Sequence, residues 1–190
     1  MWRALTLMGC CALAACATTH TVPPSTKWEQ RAGELQTVSD WQLDGRAAVA
    51  VGTQGWQATL NWRQTDRGAE VHLSGPFGIG ALVLNQTPEG LSLNGAPPSD
   101  AVESLVRDKL GFDLPIENLH YWLLGVPSPK SAFELSRNDQ DRAKVLSQAG
   151  WHVAYDRYMP VAGDLLPARL VLTTGDVRVR IVIDHWNGSK

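Results

Sequence analysis

The chain has 190 residues, a formal net charge of −2 and 19% charged residues. That is long enough for one domain with a sizeable core, and it lacks the strong positive charge of a nucleic-acid-binding protein. Its hydrophobic content of 44% is ordinary for a globular fold, whereas eight tryptophans are many for this length and suit cores, interfaces and apolar ligand sites alike.

The N-terminus reads as a targeting segment. A single positive charge, Arg3, precedes an apolar run from Ala4 to Ala15 that is too short and too rich in small residues to span a bilayer stably. It ends in Leu13-Ala14-Ala15-Cys16, which resembles a bacterial lipobox, where cleavage leaves an acylated cysteine at the new N-terminus. The cysteines are Cys10, Cys11 and Cys16. Cleavage before Cys16 leaves one cysteine, which carries lipid, and so excludes a disulfide or a cysteine-based metal site. The alternatives are an ordinary signal peptide with Cys16 incidental, or cleavage at Cys10, which would leave an apolar stretch behind. Three acyl chains make an anchor effectively permanent, at about 0.8 kcal/mol per buried CH₂. By the sorting convention of Gram-negative lipoproteins, Ala17 in place of aspartate implies the outer membrane. The expected organisation is a signal peptide over 1–15, a lipidated flexible tether over 16–27 and one β-barrel domain over 28–190.

Residues 17–27 are rich in Thr, Pro and Ser, as a tether should be. Residues 28–39, with Trp28 and Leu35, read as a short helix. Apolar residues then alternate with polar ones. Trp41, Leu43, Gly45, Ala47, Val49 and Val51 share one face, as do Trp56, Ala58, Leu60 and Trp62. This period of two predicts half-buried strands joined by a hairpin at Gly52 to Gly55. Val71 and Leu73 mark the next strand, "SGPFGIG" (74–80) a turn, "IGALVLN" a strand apolar on both faces, and Leu91 with Leu93 another short strand.

The middle of the chain changes period. Residues 99–111 place Ala101, Val102, Leu105, Val106 and Leu110 on one helical stripe, with Asp100 and Glu103 as a capping box and Gly111 as the C-terminal cap. A second helix has Pro115 at its first position, aligns Ile116, Leu119, Trp122 and Leu123, and stops at Gly125. Strands resume with Phe133 and Leu135, then Trp151, Val153 and Tyr155, then "ARLVLTT", then Val177, Val179, Ile181 and Ile183 against Arg178 and Arg180. The expectation is a mainly β fold of about eight to eleven antiparallel strands with two helices. A strongly curved sheet covered by the helices buries the apolar face and leaves a cavity for apolar ligands. A plain sandwich with peripheral helices is the alternative.

No constellation points to catalysis. His20, His72, His120, His152 and His185 lack HExxH spacing, and there is no GxSxG elbow and no phosphate-cradling loop ahead of a helix. His152 with Asp156 could share a strand face, and His185 lies beside Asp184, but each reads as a surface or strand-edge residue. The expectation is a protein that is not an enzyme and has no metal or cofactor. Phe77 stands out, because a large ring at a Gly- and Pro-flanked turn tip either folds back or meets something apolar. One such side chain contributes roughly 1.5–3 kcal/mol on burial, enough to orient a tethered domain but not to anchor it.

The lipobox at Cys16, "LDGRAAVAV", "LNWRQT", "LSGPFGIGALVLN", "DAVESLV", "LPIENLHYWLLGVP", "GWHVAYDRY", "LPARLVL" and "VRVRIVIDHW" occur in the order found in the LolB family of outer-membrane lipoprotein receptors. The resemblance covers nearly the whole mature chain, and "LxxWLLGxP" with "GWxVxY" are its most specific parts. It implies an incompletely closed antiparallel barrel of about 11 strands with a helical lid over an apolar cavity. It implies a periplasm-facing receptor, lipid-anchored in the outer membrane of a Gram-negative bacterium. Such a receptor accepts triacylated lipoproteins from the LolA carrier and releases them into the membrane without ATP or metal. It places at the turn tip an apolar residue, usually leucine and here Phe77, that enters the membrane. On this basis the cavity face is expected to comprise Val49, Val51, Ala58, Leu60, Trp62, Leu73, Val83, Leu93, Trp151, Val153, Tyr155, Ile181 and Ile183. Leu105, Leu119, Trp122 and Leu123 are expected on the lid, whose Trp122 helix can shift because apolar helix-on-sheet contacts are non-directional. The partners are the carrier, its lipoprotein cargo and outer-membrane lipid, with the chain itself a monomer. The alternatives are an anchored binding module for another lipid and a structural lipoprotein with a filled core.

Overall fold

A computed structural model of the protein describes residues 26–75 and 80–188. In chain order these form α1 (Thr26–Gln36), β1 (Trp41–Val51), β2 (Gln54–Thr65), β3 (Gly68–Ser74), β4 (Leu82–Thr87), β5 (Gly90–Leu93), α2 (Asp100–Leu110) and α3 (Ile116–Leu123). They continue with β6 (Phe133–Arg137), β7 (Ala143–Gln148), β8 (Trp151–Val161), β9 (Asp164–Thr174) and β10 (Val177–Asn187). Cys16 and Phe77 lie outside the described residues.

All ten strands belong to one antiparallel sheet in the order β5-β4-β3-β2-β1-β10-β9-β8-β7-β6. Two successive meanders, β1–β5 and β6–β10, therefore meet where β1 pairs with β10. β5 and β6 end the sheet without pairing with each other, so the barrel is incomplete there. The helices α2 and α3 link the two meanders and pack on the apolar inner face. The sheet has ten strands among the described residues, against the eleven implied by the resemblance, and three helices. α1 begins at Thr26, within the expected tether.

Alternation sets the inner face. β10 buries Val177, Val179, Ile181 and Ile183 and exposes Arg178 and Arg180 between them. The register carries this face across the strands, with Val153 opposite Leu172, Leu172 opposite Val179, Val179 opposite Val49 and Val49 opposite Trp56. One strand is bent on purpose. The β1–β10 register shifts between Asp44 and Gly45, and a Cβ on Gly45 would lie 2.2 Å from the Val182 carbonyl oxygen. Only glycine lets the strands approach so closely, and the bulge adds local twist to the sheet.

Three local expectations are corrected. Val83 pairs with His72, on the face opposite Leu84 and Leu82, so it does not share the inner face. Both faces of "IGALVLN" are apolar, so only the register with β3 decides which residues turn inward. Leu105 is 45% exposed and its stripe neighbour Ala101 is exposed too, whereas Val102, Val106 and Leu110 are buried. α2 therefore rests on a narrow i, i+4, i+8 edge. Its N-cap is Ser99, whose hydroxyl accepts from the Val102 N–H at 3.3 Å, in place of the Asp100–Glu103 box. Gly111 caps the other end as expected, with φ 85°.

α1 is fastened to the sheet. Trp28 and Ala32 are buried, and Arg31 Nε donates to both Asp164 oxygens at 3.0 Å while its Nη2 donates to the Leu165 carbonyl at 2.8 Å. Arg142 Nη2 reaches the same carboxylate at 3.2 Å. Partial burial opposes ionisation of Asp164. The hydrogen bonds from Arg31 and the Leu165 N–H, with the charges of Arg31 and Arg142, outweigh it and hold the carboxyl below its usual range.

Candidate functional site

The inner face and the helices line an apolar cavity of about 40 Å³. Its sheet wall includes Val49, Leu60, Trp62, Leu73, Trp151 and Ile181, all expected there, together with Trp56, Val71, Leu172 and Val179. Its helical side includes Leu119 and the connector between α2 and α3. Ala58, Leu93, Trp122, Leu123, Val153, Tyr155 and Ile183 belong to the surrounding apolar cluster, and Val51 packs against it. Val83 and Leu105 do not.

The cover is held at one end by directional bonds. Trp122 is fully buried, and its indole N–H donates to Gln148 Oε1 at 2.9 Å. That oxygen also accepts from the Ser128 N–H at 2.8 Å, while Gln148 Nε2 donates to the Ser128 and Ser131 carbonyls, each at 2.8 Å. A buried amide with every hydrogen-bonding position filled fixes what surrounds it. The Tyr155 hydroxyl donates to the Trp122 carbonyl at 3.0 Å, and its burial pushes its pKa well above the ordinary phenol value. The expectation that the Trp122 helix can shift because its contacts are non-directional is therefore corrected at its C-terminal end, which directional hydrogen bonds fasten to β7 and β8.

Beneath α3, Trp41 stacks on Trp62 at 5.9 Å and meets Trp186 and His120 edge-on at 5.4 and 5.9 Å. His120 bonds the Val38 carbonyl at 3.2 Å, and burial lowers its pKa, so it is neutral at neutral pH. Of the other described histidines, His72 lies against Glu70 and His152 against Ser147, while Asp156 pairs with Arg169. No group of three His, Cys, Asp or Glu side chains among the described residues could hold a metal ion. The chemistry offered is an apolar lining.

An open antiparallel sheet curled over an apolar space with a helical cover defines the class of fold shared with the LolA superfamily. A solved LolA-superfamily protein from Nitrosomonas europaea aligns with a TM-score of 0.54 at 8% identity, covering 86% of this chain and 93% of its own. Residues 39–186 match the family described as "Outer membrane lipoprotein LolB", and the chain belongs to that family. Relatives named "Outer-membrane lipoprotein LolB" include one from Marinobacter nauticus, 37% identical over 174 residues, covering 87% of this chain and 84% of the relative. Another, from Stutzerimonas stutzeri, is 32% identical over 187 residues, covering 96% of this chain and 91% of the relative.

Proposed function

We propose that this chain is the receptor that accepts triacylated lipoproteins from a LolA-like periplasmic carrier, shelters their acyl chains under α2 and α3, and releases them into the inner leaflet of the outer membrane. The observation that carries the reading is the continuous apolar lining, which runs across both meanders and onto the helical cover. Membership of the LolB family supports the same role. A sixteen-carbon chain costs about 12 kcal/mol to expose to water, at about 0.8 kcal/mol per CH₂, so a hand-over needs apolar surface at every stage. At about 40 Å³ the cavity is smaller than an acyl chain, so admitting cargo requires side chains of its lining to move aside. Cys16 is the residue that would carry the anchor, and Phe77 the one that would enter the bilayer during release. The role needs no acid, base or metal.

The test uses a form that begins after Cys16. All ten strands and three helices lie within residues 26–188, so this form keeps the whole described fold. The form and its Phe77→Glu variant are mixed with carrier loaded with a labelled lipoprotein, and then with liposomes. The parent takes the label and passes it on, whereas Phe77→Glu takes it and passes it on poorly. If neither form takes label from the carrier, the receptor reading falls and a binding module for another lipid takes its place.

A further inference from the structure

The cavity is small because the chain fills it itself. The connector between α2 and α3, residues 111–115, turns inward and places Phe112 in the cavity lining, 8% exposed, with its ring edge-on to Trp151 at 5.9 Å and 62°. Trp122 meets the same indole at 6.5 Å and 52°. Both rings are buried, and they differ in what fastens them. Trp122 is bolted through Gln148 and Tyr155. The polar ties of the connector are all local. The Gly111 N–H bonds the Arg107 carbonyl, the Ile116 N–H bonds the Leu114 carbonyl, and Asp113 pairs with Arg107. Among the described residues no hydrogen bond joins residues 112–114 to a strand.

The Phe112 ring is therefore held by apolar contact alone, and such contact is non-directional. It can leave the cavity without stranding a buried polar group, which the Trp122 end cannot do. The connector begins at Gly111, whose left-handed conformation already turns the chain sharply. We infer that Phe112 is an internal plug: it occupies the acyl-chain site in the closed protein and is displaced when cargo enters. This inference rests on the acyl-cavity reading above. An acyl chain makes with the sheet the same kind of contact the ring makes, so exchange of one for the other leaves the wall dry throughout. Displacing the ring also subtracts from the net affinity for the chain, as any requirement for a minor open state does. That favours hand-over to the membrane over retention.

A plug and a wall residue respond to ligand in opposite directions. The form beginning after Cys16 has no cysteine, so single cysteines report cleanly. Phe112→Cys, Leu114→Cys and, as a wall control, Leu60→Cys are reacted with a polar maleimide in the absence and presence of cis-parinaric acid, an eighteen-carbon fluorescent fatty acid whose emission reports binding. The plug predicts that ligand raises the labelling rate at positions 112 and 114 by about tenfold, because it binds only the opened form, and lowers it at position 60. Leu114→Cys keeps the Phe112 ring and so reads connector movement even if Phe112→Cys fails to fold. If the fatty acid binds and labelling at 112 and 114 slows or stays constant, the plug is overturned while the acyl-cavity reading stands. If emission shows no binding to the parent, the acyl-cavity reading fails and takes the plug with it.

Discussion

The two ends of the helical cover rest on one residue, Trp151, yet are secured by different kinds of force. At the Trp122 end a single buried glutamine satisfies an indole, a backbone N–H and two carbonyls, and a tyrosine closes the last carbonyl. At the Phe112 end a ring of comparable burial is attached only by packing. Equal burial does not mean equal permanence. Hydrogen bonds between buried groups are costly to break one at a time, whereas an apolar contact is exchangeable for any other apolar contact. On the proposed reading, one end of each kind would let the cover open and still close in register.

The contrast can be broken most forcefully at Gln148. Gln148→Leu leaves three buried polar groups unpaired, the Trp122 indole N–H and the Ser128 N–H and carbonyl, at about 1–3 kcal/mol each, and we expect a loss of at least about 3 kcal/mol in denaturant unfolding. A smaller loss would mean that α3 is not bolted there. Tyr155→Phe removes one buried bond and should cost about 1 kcal/mol, measured the same way.

A pH series sharpens the picture at α1. The folded Asp164 carboxyl titrates below its ordinary value, so its contribution is present above about pH 4 and is lost as pH falls through the folded value. Asp164→Asn should therefore lower the urea midpoint at neutral pH, and the gap to the parent should shrink on acidification. A constant gap would locate the effect in packing. The smallest change is expected at Leu105, which is exposed. Leu105→Gln should alter stability by less than about 0.5 kcal/mol, and a large loss would mean that α2 turns its other edge inward.

The sheet was largely legible in the sequence because period two reports which side of a strand is covered. Trp151, Val153 and Tyr155, and the four apolar residues of β10, lie inward as their alternation requires. Legibility failed where the pattern was ambiguous or weak. β4 is apolar on both sides, so Val83 could be assigned only through its partner strand. β7, "AKVLSQ", is short and half polar, and no periodicity separates it from the loops around it. α2 carries a wider apolar stripe than it uses, because it touches its neighbours along one edge. Phe112 and Gln148 were missed for a different reason. Phe112 sits one residue beyond a helix cap, where no periodicity applies. Gln148 matters through partners 17 to 26 residues away, and nothing in its immediate neighbours signals that.

The seam between β1 and β10 has a consequence in time. Each meander closes through short hairpins, which form quickly, but the central pairing joins Gln42 to Asn187 and Val51 to Val177, nearly the whole length of the domain apart. A chain made from its N-terminus therefore completes β1 early and leaves that strand's edge unpaired until the final strand emerges. One of the two central strands of the finished sheet is for a while its exposed edge, and loss of the eleven residues of β10 would leave it so permanently.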